Sequence, residues 1–185
     1  MEHIYKKRWF WITTLIIIAV LAYAKLQNAG TTSVVNKSKV AATDYKNASY
    51  EIDGIKVQLK DGVANYTAAD DSAPKATVRY FGNEARGDFN NDGLQDVAFI
   101  ITQDNGGSGT FYYIVAALNN GNGYDGTNGV FLGDRIAPQT TEFRNNEIVA
   151  NYADRKAGEP MTARPSVGVS KYLNIENKKL VEVVK

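Results

Sequence analysis

What most constrains this chain is a ten-residue polar stretch at its middle, Gly87-Asp88-Phe89-Asn90-Asn91-Asp92-Gly93-Leu94-Gln95-Asp96, with the apolar run 97–101 directly behind it. Such a stretch reads as a sharp turn that delivers the chain into a buried element at a fixed point. Asp88, Asn90, Asp92 and Asp96 fall at positions 1, 3, 5 and 9 of the loop, with Gly93 at position 6. In a tightly wound loop alternate residues turn their oxygens inward, and glycine takes the sharp turn that a Cβ would resist. Leu94, at position 7, has the wrong side chain for a ligand and would offer its backbone carbonyl. An all-oxygen set favours a hard cation, calcium over zinc. Position 12, where a helix–loop–helix site would carry Glu, is Phe99, so the expected site is of the loop-then-strand kind. Three carboxylates about 4 Å apart repel by roughly 4 kcal/mol per pair at an effective dielectric of 20, a cost that a cation offsets. An ordinary Asx-rich turn uses the same residue types. The spacing is what separates the two readings.

Strand signals surround the loop. Residues 55–60 alternate, which points Ile55, Val57 and Leu59 at a core, and Asp53-Gly54 and Asp61-Gly62 are hairpin turn pairs on either side. Residues 63–67 and 75–81 read as the next strands. Residues 97–103 and 111–118 are apolar almost without alternation, so both of their faces are expected to be covered. The glycine-rich stretch 104–109 joins them as a hairpin tip. A Gly/Asn loop over 119–129 precedes a short strand at 130–132. Two further hairpins turn about Asn145-Asn146 and Asn177-Lys178. About ten short strands with no soluble helix predict a mainly β domain, an antiparallel β-sandwich or barrel-like fold.

Phe81-Gly82, Gly87-Asp88-Phe89-Asn90, Asp92-Gly93, Asp96 and Val97-Ala98 together resemble one FG-GAP or VCBS-type repeat, the calcium-loop unit of integrin-like propellers and many bacterial surface proteins. The resemblance implies that Asp88, Asn90, Asp92 and Asp96 are ligands of a structural Ca2+. Only one copy is present and the Gly-Ala-Pro element is missing, so a many-bladed propeller is not implied. From about residue 44 the chain is also similar to a family of membrane-anchored or secreted bacterial β-domain proteins to which no activity is assigned.

The N-terminal part carries the address. Lys6, Lys7 and Arg8 precede residues 9–24, a run from Trp9 to Ala24 interrupted only by Thr13 and Thr14. As a helix it would span about 24 Å, short of the roughly 30 Å hydrocarbon core but within reach with interfacial flanks. Trp9, Trp11 and Tyr23 stand where aromatic belts form. Ala22-Tyr23-Ala24 is also a pattern that a signal peptidase could cut. Two expectations therefore stand: a transmembrane signal-anchor in the cytoplasmic membrane with the C-terminal domain extracytoplasmic, or secretion after cleavage following Ala24. Residues 25–48 read as a flexible tether and 49–185 as the exported β-domain.

Function classes narrow by exclusion. The chain has no cysteine and one histidine, His3, so Ser–His, Cys–His and His/Cys zinc sites cannot be built in the exported domain. With 21 Lys and Arg against 20 Asp and Glu and no basic block, nucleic-acid binding is disfavoured. Carboxylate chemistry remains. Its candidates are Asp154 and Glu159 in the charged loop 154–165, where Arg155 and Arg164 could instead clamp an anion. Tyr112, Tyr113 and Tyr124 are candidates for stacking on sugars, against ordinary packing in strands. The leading expectation is a non-enzymatic, calcium-stabilised module that binds an envelope glycan or protein ligand. The alternative is a carboxylate-dependent glycan hydrolase using the 154–165 loop.

Overall fold

A computed structural model describes residues 44–67 and 75–185. The segment 9–24, and with it the expected anchor or signal peptide, lies outside the described residues, as do residues 25–43 of the expected tether. Among the described residues no helix is long and apolar enough to cross a membrane.

Among the described residues, one turn of 3-10 helix, Tyr45–Asn47, leads into twelve strands. They are β1 (Ser49–Ile52), β2 (Ile55–Gln58), β3 (Val63–Thr67), β4 (Lys75–Gly87), β5 (Asp96–Asp104), β6 (Phe111–Asn119), β7 (Tyr124–Gly126), β8 (Val130–Asp134), β9 (Ala137–Arg144), β10 (Glu147–Asp154), β11 (Val167–Glu176) and β12 (Lys179–Val183). A six-stranded sheet runs β3-β4-β5-β6-β7, with β8 also pairing β6; β12-β11-β10-β9 form a second sheet, and β1-β2 a third. Every pairing of these strands is antiparallel.

The two unalternated apolar runs became the centre of the six-stranded sheet. Val97, Phe99 and Ile101 face one core, shared with Tyr50, Ile52, Val57 and Leu59 of the β1–β2 hairpin and its approach. Ala98, Ile100, Ile114 and Ala116 face another, shared with Ile148, Ala150, Tyr152, Leu173 and Leu180 of the four-stranded sheet. Residues 97–101 are wholly buried. Each large side chain so placed contributes about 1.5–3 kcal/mol by leaving water. The layering is sandwich-like. The sheets stay open and no barrel closes, which removes that half of the expectation.

Turn chemistry fixes the hairpins. Asp53-Gly54 and Asn145-Asn146 take positive φ at both residues, as does Asn177-Lys178, the twist that two-residue hairpins require. Three details differ from the sequence expectation. Ile55 shares the face of Val57 but sits at the hairpin tip, where it is 38% exposed. β4 does not stop at Phe81; it runs to Gly87 through irregularities at Gly82 and Ala85, with Gly82 and Asn83 at positive φ. Packing also begins before Ser49. Tyr45 packs on the first core and Ala48 is buried in it.

Candidate functional site

The 88–96 loop is wound by its own side chains. Asp88 accepts from the Asp92 N–H at Oδ1 (3.0 Å) and from the Gly93 N–H at Oδ2 (2.8 Å). Asn90 Oδ1 accepts from the same Asp92 N–H at 3.1 Å, and Asp92 Oδ1 accepts from Leu94 N–H at 2.8 Å. One shared donor brings the oxygens of positions 1 and 3 to the same side of the loop. Asn90 Nδ2 also donates to Asp92 Oδ2 at 2.8 Å. Asn91 and Gly93 take positive φ. A Cβ on Gly93 would meet nothing within 4 Å, so the glycine is there for its backbone conformation and not for space.

Asp96 has a different position. It is fully buried, accepting from the Phe89 N–H at Oδ2 (2.9 Å) and from the Asn119 N–H at Oδ1 (2.7 Å). It therefore ties the start of the loop to the end of β6. Burial pushes its carboxyl above the ordinary range; the two N–H groups pull the other way, and the charges of Asp92 and Asp88 add to the rise. The loop is also clasped from the second sheet. Phe143 of β9 packs on Phe89 with centroids 4.9 Å apart, and a Cβ on Gly87 would lie 2.3 Å from its ring. Glycine at 87 is thus required for close approach, which the spacing motif alone does not reveal.

The donor chemistry of Asp88, Asn90, Asp92 and the Leu94 carbonyl suits a hard cation. Each carboxylate oxygen that accepts one N–H keeps a second lone pair. As they stand, these oxygens hold the loop's own N–H groups, and among the described residues no group of three or more His, Cys, Asp or Glu is gathered as a metal site. Asp96 differs from them in being fully buried, its two oxygens tying the Phe89 N–H to the Asn119 N–H.

The 154–165 loop is organised by Arg155. Its Nε donates to Ala163 O at 2.7 Å, and its Nη1 to Arg135 O at 3.0 Å and Asp134 O at 3.3 Å. Asp154 Oδ1 accepts from the Arg155 N–H at 2.7 Å, and Glu159 Oε2 from the Lys156 N–H at 3.0 Å. Each carboxylate thus binds a different stretch of its own backbone. Arg155, one of the two arginines that could clamp an anion, donates to carbonyls, while Arg164 is exposed.

Of the three tyrosines, Tyr113 is buried with its hydroxyl 2.7 Å from Asp53 Oδ2 and 3.1 Å from Gln103 Oε1. Tyr124 packs edge-on against Tyr45, and Tyr112 against Phe81. A cluster that the sequence reading missed surrounds Glu84. Tyr45 and Tyr80 both donate to its Oε1 at 2.6 Å, and Arg86 donates to Oε2 at 2.8 Å. Burial raises the Glu84 carboxyl, but these three bonds outweigh it and hold the group below its usual range. The cluster pins the 3-10 turn, where the chain enters the domain, to the irregular part of β4.

Comparisons with protein-family models, with curated proteins and with solved structures give no match to this chain. The likeness to a calcium-loop repeat therefore rests on the residues of the loop.

Proposed function

We propose that this chain is an exported, membrane-tethered β-domain steadied by calcium at the 88–96 loop, and that it works as a non-enzymatic binding module of the cell envelope. The observation that carries the calcium reading is the winding of the loop: the Asp92 N–H is shared by Asp88 Oδ1 and Asn90 Oδ1, which brings the oxygens of positions 1 and 3 to the same side. A cation held by Asp88, Asn90, Asp92 and the Leu94 carbonyl would use oxygens so gathered and supply no reaction chemistry. Its effect would be to fix where β5 begins. The exported location rests on the basic residues before the apolar segment 9–24. In support of a non-enzymatic role, Asp154 and Glu159 accept from their own loop backbone.

A site of three side-chain ligands, one carbonyl and water would bind calcium at roughly 10⁻⁴–10⁻³ M, as extracellular modules do. At a hundredfold excess over the dissociation constant, binding adds about 2.7 kcal/mol. The test is thermal unfolding of residues 44–185 in EDTA and at saturating calcium, followed by circular dichroism. The melting temperature should rise by several degrees, and Asp92→Ala should fold but lose the response. A wild-type melting temperature indifferent to calcium overturns the metal reading.

A further inference from the structure

Four asparagines of this chain are followed by glycine: Asn105-Gly106, Asn120-Gly121, Asn122-Gly123 and Asn128-Gly129. Such a pair is the most reactive setting for an asparagine amide. The next residue's backbone nitrogen is the nucleophile, and glycine has no Cβ to obstruct its approach. That nitrogen must give up its proton and turn onto the Asn Cγ. A hydrogen bond already holding its N–H opposes both steps, and the fold treats the four pairs unequally.

Three of them are guarded. The Gly106 N–H donates to Asp104 Oδ1 at 2.8 Å, and the Gly121 N–H to Asn119 Oδ1 at 2.9 Å. The Gly129 N–H donates to Glu51 O at 2.8 Å. At that last pair the asparagine amide is held as well: Asn128 Nδ2 donates to Leu180 O at 3.0 Å, and Asn128 Oδ1 accepts from the Leu180 N–H at 2.9 Å. Asn122, in the turn between β6 and β7, is different. Its own N–H donates to Asn120 Oδ1 at 3.0 Å, and the Gly123 carbonyl accepts from the Asn120 N–H at 3.0 Å. Asn122 is exposed. Among the described residues neither its side-chain amide nor the Gly123 N–H has a hydrogen-bond partner.

We propose that Asn122 is a deamidation site, converted to aspartate and isoaspartate ahead of the other three asparagines. The deprotonated Gly123 nitrogen adds to Asn122 Cγ, the new C–N bond closes a succinimide, the Cγ–Nδ2 bond breaks, and ammonia leaves with the proton. Water then opens the succinimide, at one carbonyl to give aspartate and at the other to give isoaspartate. Nothing is oxidised or reduced, and water is the co-reactant. Either product places a carboxylate in the β6–β7 turn, and isoaspartate also adds a methylene to the main chain there. That turn follows Asn119, whose N–H holds Asp96, so the change falls close in sequence to the contact that ties the 88–96 loop to β6. The inference stands independently of the calcium and binding-module readings.

The full chain in detergent micelles would be incubated at mildly alkaline pH, sampled over days, digested, and read by tandem mass spectrometry with fragmentation that separates isoaspartate from aspartate. In the folded protein Asn122 should convert about fivefold to tenfold faster than Asn105, Asn120 and Asn128, the factor expected where one backbone hydrogen bond must break first. In the urea-unfolded chain the four rates should draw together, since all four asparagines have the same neighbour. Asp104→Ala, at an exposed position, frees the Gly106 N–H and should raise Asn105 conversion toward that of Asn122, with Asn122 itself unchanged; circular dichroism would verify that the variant folds. Absence of conversion at Asn122, equal rates at all four positions, or a lead for another asparagine in the folded chain overturns the site. A lead for Asn122 that persists in urea, or an Asn105 rate indifferent to Asp104→Ala, overturns the argument that the free Gly123 N–H selects it.

Discussion

The loops 88–96 and 154–165 both carry carboxylates, three in the first and two in the second beside Arg155, Lys156 and Arg164, and they are held by different means. In the first, Asp88, Asn90 and Asp92 fold a short segment back on itself through bonds to successive N–H groups. The charges of Asp92 and Asp88 act on buried Asp96. In the second, Asp154 and Glu159 accept from separate backbone N–H groups, and the organising contact comes from a cation, Arg155, reaching three carbonyls. Both loops turn carboxylates onto backbone N–H groups, and they differ in what else closes them. The first is wound by its own side chains, with the oxygens of Asp88 and Asn90 on one side, while the second is closed by a guanidinium.

The contrast breaks most severely at Asp96. Asp96→Ala would orphan the Phe89 and Asn119 N–H groups and leave a void among buried residues. Each unsatisfied donor costs about 1–3 kcal/mol, so the domain should lose about 3 kcal/mol or more, a large part of a typical 5–15. Urea unfolding with and without calcium separates brace from ligand. As a brace, Asp96→Ala lowers stability in both conditions and keeps part of the calcium increment. If the stability loss appears only in calcium, Asp96 is a ligand and the difference in role between it and Asp92 is wrong.

Arg155 gives the corresponding test in the second loop. Arg155→Met keeps much of the side-chain bulk and removes three hydrogen bonds to carbonyls of Ala163, Asp134 and Arg135. The expected cost is about 2 kcal/mol, since the guanidinium is only part-buried and water can replace some of its bonds. The calcium increment should be unchanged, because nothing in this loop bonds the 88–96 segment. A calcium response that falls with Arg155→Met would show the two loops to be coupled.

How much of this was legible beforehand follows from how local each cause is. The hairpins at Asp53-Gly54, Asn145-Asn146 and Asn177-Lys178 could be read because positive φ at two adjacent residues is a property of those residues. The burial of 97–101 was equally local, written as an apolar run. Gly82 and Asn83 misled because they are turn residues used inside a continuing strand, where pairing with β5 overrides local preference. Asp96 could not be resolved from spacing. Position 9 suits a ligand and a brace alike, and the Asn119 N–H that it accepts from lies 23 residues away. The need for glycine at 87 likewise comes from Phe143, and the Glu84 cluster from Tyr45, on segments that meet only in the folded chain.

The smallest expected effect is at Glu159, and it bears most directly on function. Its carboxylate accepts one bond, from the Lys156 N–H at 3.0 Å, within a single turn of a surface loop. A local cap of this kind contributes about 0.5–1 kcal/mol, and water can take over the freed N–H. Glu159→Ala should therefore leave the melting temperature within a few degrees of wild type, with the calcium increment unchanged. A glycan hydrolase using the Asp154 and Glu159 pair makes the opposite demand, because loss of a general acid or base costs about 10²–10⁴ in rate. Release of reducing sugar from sacculi by wild type, abolished in Glu159→Ala at unchanged stability, would show that this loop does chemistry and would reverse the assignment of roles between the two loops. No release from either protein keeps Glu159 as a cap on its own turn.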